Sequence, residues 1–121
     1  MKNKLLKLSY RFLLILVSSI FIFAAIDKIV LKEEMVKTFQ SFGLPNEFMV
    51  IIGFTELMLA ILLQTKYFTK LATNALISIL SFGIFFHVMN HQYMISLFPL
   101  SLIFILLMTL NLGQKVAKLP K

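Results

Sequence analysis

The chain has 121 residues, of which 60% are hydrophobic and only 14% charged, with a mean hydropathy of +0.93 and a formal net charge of +7. A soluble domain of this size cannot hide so much apolar surface, so the composition points to one small integral membrane domain. There is no cysteine, which excludes disulfides, dithiol exchange, Cys-ligated zinc and iron–sulfur clusters.

The basic residues flank apolar runs rather than forming patches interleaved with aromatics, which argues for a membrane surface and against nucleic acid. The first run, Leu8–Ile26, is uncharged apart from Arg11, which is close enough to the end to snorkel. A cleaved leader is the poorer reading of this run. Cleavage after Ala24 or Ala25 would leave Ile22 or Phe23 where a small residue is wanted.

Next comes a connection with its own periodicity. Met35, Phe39 and Phe42 recur at i, i+4, i+7, and Glu33 and Lys37 form a favourable i,i+4 pair. Gly43 and Pro45 then stop the pattern. The stretch predicts a short amphipathic helix on the membrane surface or over the bundle.

Asn46 is the expected N-cap of the second span. That span, Phe48–Leu63, contains a single charge, Glu56. The third, Leu71–Phe86, and the fourth, Tyr93–Leu112, contain none. Pro99 should kink the fourth or mark where its regular helix begins. Each run approaches the ~20 residues that a helix needs to cross the hydrocarbon. The expectation is an all-α, four-transmembrane-helix bundle, one domain over 1–121, with spans near 8–28, 47–65, 70–89 and 93–112. Gly53, Ala60, Ser78 and Ser81 are the candidates for close helix approach.

Four spans place Lys2, Lys4, Lys7, Arg11, Lys66, Lys70, Lys115, Lys118 and Lys121 on one side. Lys28, Lys32 and Lys37 fall on the other, diluted by Asp27, Glu33, Glu34 and Glu47. Nine against three predicts both termini in the cytoplasm, in a multi-pass protein of a bacterial-type plasma membrane.

A helical rise of about 1.5 Å per residue puts Glu56 near the midplane, with Asp27, Lys28, His87, Asn90 and His91 in the outer third above it. A carboxylate at that depth costs roughly 2.5–3.5 kcal/mol on insertion scales. Either a cation offsets this or Glu56 carries its proton. Asp27 and Lys28 point about 100° apart on a helix, which leaves Lys28 free to reach Glu56 on another helix. Two readings of Glu56 stay open: a structural tie between helices, or a group that handles protons or a ligand. His87 and His91 have the i,i+4 spacing of metal ligands but lack a third, and no metal site is expected.

These residues also occur in a familiar order. The first span ends "FAAIDKI", "FGLP" closes the amphipathic stretch, "GFTELMLAILL" follows, and the third span ends "FFHVMNH". Over about Phe21–His91 this resembles the DoxX-like family of small four-helix membrane proteins, which has MauE-type relatives. The family's lysine ending the first span, its Gly-x-x-Glu and its late histidine correspond to Lys28, Gly53 with Glu56, and His87. Ala25 stands where the family often has glycine. The resemblance implies links to a thiosulfate:quinone oxidoreductase subunit or to the maturation of periplasmic proteins.

The expectation is an accessory or redox-associated membrane subunit with a polar site near the outer face, a quinone-linked oxidoreductase being the candidate assembly. No self-sufficient catalytic constellation is visible. A quinone-like lipid is the candidate cofactor. The bilayer, a membrane or periplasmic protein, or a second copy are the candidate partners. The alternative is a proton-coupled transporter or permease component with Glu56 as its titrating group.

Overall fold

The computed structural model describes residues 2–119 and contains five helices: α1 (Lys2–Ile29), α2 (Glu33–Ser41), α3 (Asn46–Leu62), α4 (Thr69–Met89) and α5 (Leu97–Ala117). The long four form a ring in which α1 packs on α3 and α5, while α4 packs on α3 and α5. Lys2 and Ala117 therefore lie at one end of the bundle, named the inner end after the orientation expected from the charge asymmetry, and the opposite end is named the outer. The short α2 lies across α1 and α3 at the other.

Burial follows a narrow stripe on each helix. On α1 it runs Leu14, Val17, Ser18, Phe21, Ala25, Lys28; on α3 it runs Met49, Gly53, Glu56, Ala60. Steps of three and four residues are those of a bundle seam. The remaining faces carry Phe12, Phe23, Phe54, Met58, Phe82 and Phe104, all exposed. An apolar belt of that extent requires lipid around it. Helices α1, α4 and α5 are each long and apolar enough to cross a membrane. α3 has 17 residues, about 25 Å, and qualifies together with α2, from which it is bent by 114°.

Small residues set the α1–α3 approach. Ser18 donates to the Ala60 carbonyl (3.1 Å), and Gln64 donates to the Leu14 carbonyl (3.0 Å) and to Ser18 Oγ (2.7 Å). One turn and more toward the outer end, a Cβ on Gly53 would sit 3.0 Å from the Ala25 carbonyl oxygen. Here the expected role of Gly53 and Ala60 holds. Ser78 and Ser81 do not share it: both are exposed and bond back to the carbonyls of Asn74 and Ile77 on their own helix. Their polarity is absorbed locally, so they can face outward.

The outer end uses one device three times. In each of α1, α2 and α4 the chain turns through a left-handed residue: Leu31 (φ 56°), Gly43 (φ 76°) and His91 (φ 58°). The next amide then bonds back to the carbonyl of Asp27, Phe39 or His87, at 3.0, 3.0 and 2.8 Å. This is the Schellman arrangement, which satisfies carbonyls that would otherwise be orphaned at a helix end.

Two boundary expectations change. Asn46 is the first helical residue rather than the N-cap; Pro45 stands there with extended backbone, and no side chain caps the helix. Pro99 lies in the first turn of α5, where its missing N–H costs nothing, so it marks the start of the helix and residues 93–96 remain in turns.

Candidate functional site

Lys28 occupies the last turn of α1 and Glu56 the middle of α3, and both belong to the buried stripes. The ammonium lies 3.0 Å from Oε1 and 3.2 Å from Oε2 of Glu56, and the two residues are 9% and 3% exposed. Side chains on a helix lean toward its N-terminus. α1 and α3 are antiparallel, so Lys28 leans inward while Glu56 leans outward, and the two heads meet. Lys28 Cβ stands level with Gly53, three residues before Glu56, and the opposed lean closes that gap. Among the described residues no buried side-chain nitrogen or oxygen is without a partner.

The other candidates go elsewhere. Asp27, half-buried, pairs with the exposed Lys32 at 3.8 Å. Asn90 donates to the Phe86 carbonyl at 2.8 Å and closes the end of α4. His91 is the left-handed turn residue beyond α4, with its ring nitrogen 3.1 Å from the Tyr93 hydroxyl. It therefore leaves the helix face of His87, and the i,i+4 spacing in sequence does not become a pair in space. Among the described residues no group of three His, Asp or Glu gathers to hold a metal.

His87 belongs to a separate cluster at the same end. Its Nδ1 is 2.8 Å from the Gln92 amide oxygen, and its carbonyl accepts the Gln92 N–H. An amide oxygen only accepts, so this bond puts a proton on Nδ1 and leaves the Nε2 lone pair available in the neutral ring. Phe42 stacks on Phe86 (centroids 5.2 Å apart) and meets the His87 ring at its edge (5.0 Å). No hydrogen bond among the described residues joins His87 to Lys28 or Glu56. The hold that Gln92 has on His87 was invisible in the sequence, because it depends on the chain reversing at His91. Phe42 was legible as the last member of the amphipathic stripe on α2.

A ring of four apolar helices with a short amphipathic helix at one end and, among the described residues, one buried ion pair between its first two spans defines a small membrane bundle. The profile of the DoxX-like family matches residues 12–110, and the chain belongs to that family. The match extends beyond the Phe21–His91 stretch of the motifs into the first and fourth spans. No curated protein and no solved structure matches the chain significantly.

Proposed function

We propose that the protein is a redox-associated accessory subunit of a bacterial-type plasma membrane, with its termini in the cytoplasm and an outer-end site for the ring of a quinone-class lipid. The observation that carries this reading is the Phe42–Phe86–His87 cluster, in which two aromatic rings flank a histidine whose Nε2 is left free. The buried Lys28–Glu56 pair supports it, because ionisable groups kept inside a membrane mark functional sites.

The residues at that end fit such a ring. Phe42 and Phe86 offer aromatic faces, and His87 Nε2 accepts a hydrogen bond from a ring hydroxyl. A bound quinone would supply the two-electron chemistry; the chain supplies position and a proton acceptor. With no cysteine to relay thiol electrons, it hands that chemistry to a partner, either a membrane or periplasmic protein or a second copy. Proton-coupled transport through Glu56 is the weaker reading. Leu14, Val17, Phe21, Leu76, Leu80 and Leu106 form one buried apolar cluster between the two ends of the bundle.

Lipid extracted from detergent-purified protein tests the site. Quinone should be enriched over the bulk membrane extract and fall at least several-fold in His87→Ala. No enrichment, or enrichment indifferent to His87, overturns the reading. Orientation is checked separately with reporter fusions. A fusion after Gln114 should report cytoplasm and one near Thr38 the opposite side; a cytoplasmic signal at Thr38 overturns the topology.

A further inference from the structure

A second polar site lies at the inner end. A cavity of about 550 Å³ opens there between the ends of α1, α4 and α5 and the α3–α4 connection. Its volume is that of a small-ligand pocket. Arg11 of α1, Lys66 of the α3–α4 connection and Lys70 of α4 line it together with Gln114 of α5.

Among the described residues these cations have no acidic side chain beside them in the cavity. The five carboxylates of the chain are Asp27, Glu33, Glu34, Glu47 and Glu56. They lie at the far end of α1, on α2 and on α3, and none lines the cavity. The ion pairs among the described residues involve none of Arg11, Lys66 and Lys70. Three like charges sharing one concavity repel each other and concentrate positive potential inside it.

The remaining lining groups add few competing donors. Thr69, Thr73 and Thr109 spend their hydroxyl protons on the carbonyls of Thr65, Thr69 and Ile105. Both amide protons of Gln64 go to α1. The donors left for a ligand are the guanidinium, the two ammonium groups, the Gln114 amide and the Tyr10 hydroxyl. The guanidinium fork matches two phosphate oxygens at once, and the lysines add point charge. Leu14, Leu110 and Val116 give the cavity an apolar wall beside this charge.

We propose that this inner-end cavity binds a phosphate-bearing anion, either the headgroup of an anionic lipid or a free phosphate compound. The site is independent of the outer one, and its loss would leave the quinone reading untouched.

Native mass spectrometry of the detergent-solubilised chain tests this with short-chain phosphatidylglycerol as the probe. General attraction of basic residues to anionic lipid would depend only on how many charges are removed. The comparison is therefore between two triple variants with equal charge loss. Arg11→Gln/Lys66→Gln/Lys70→Gln strips the cavity, while Lys2→Gln/Lys115→Gln/Lys118→Gln removes charge from the same end outside it. The cavity triple should bind at least tenfold more weakly, with the control triple within about twofold of wild type. Ala117→Phe, which narrows the cavity without touching charge, should also weaken binding. Competition by inorganic phosphate would assign the site to free phosphate compounds, and its failure to compete would assign it to the lipid headgroup. Equal weakening in the two triples, or binding of phosphatidylcholine as tight as phosphatidylglycerol, would overturn the proposal.

Discussion

Lys28→Met is expected to destabilise the bundle by about 3–5 kcal/mol, the usual cost of leaving one member of a buried ion pair alone. Glu56→Gln should cost somewhat less, because an amide oxygen can still accept from the Lys28 ammonium. The informative quantity is the double variant. Since each group is buried chiefly against the other, at 3.0 Å, removing both should cost clearly less than the sum of the two single losses. Glu47→Gln, on the exposed first turn of α3, should change little. Unfolding in detergent micelles gives all four values. If the Lys28 and Glu56 losses simply add, the two side chains do not support each other, and Glu56 is a lone carboxyl tying helices together.

Gly53→Ala is the second large effect, and it tests the backbone beneath that pair. An added Cβ would lie 2.9 Å from Ile29 Cγ1, 3.0 Å from the Ala25 carbonyl oxygen and 3.0 Å from Lys28 Cβ. The isoleucine methylene can swing aside. The carbonyl and the Cβ cannot, so α1 and α3 must separate, stretching the Ser18–Ala60 and Lys28–Glu56 bonds together. Overpacking of this kind costs about 1–3 kcal/mol, less up to about 1 kcal/mol from alanine's better helix propensity. Gly83 is the control. It lies within α4 with nothing within 4 Å of an added Cβ, so Gly83→Ala should be neutral or slightly stabilising. Equal effects at the two glycines would mean that α1 and α3 do not approach as closely as the contact at Ala25 requires.

The parts of this architecture legible in the sequence were those governed by local periodicity. Apolar runs gave the long helices, and Met35, Phe39 and Phe42 gave α2, which spans Glu33–Ser41. The Lys28–Glu56 contact was also foreseeable, because depth and charge left Lys28 few other partners. What stayed hidden depends on chain reversals. Nothing local in "MNHQY" says that His91 takes a left-handed turn, and that one dihedral removes His91 from the face of His87 and brings Gln92 onto it. The inner cavity was hidden for a different reason. Arg11, Lys66 and Lys70 read as ordinary flanking charges until α1, α4 and the α3–α4 connection bring them to one concavity.

The central proposal is that the outer end holds a quinone-class ring beside Phe42, Phe86 and His87. The most direct measurement is photolabelling of the purified protein with an azido-quinone, followed by peptide mapping. Label should concentrate in the stretches around Phe39–Phe42 and Phe86–Gln92, be displaced by unmodified quinone and be lost in His87→Ala. It should persist when Arg11, Lys66 and Lys70 are replaced. Label spread along the lipid-facing surfaces of α1 and α5, or unchanged without His87, would contradict the account.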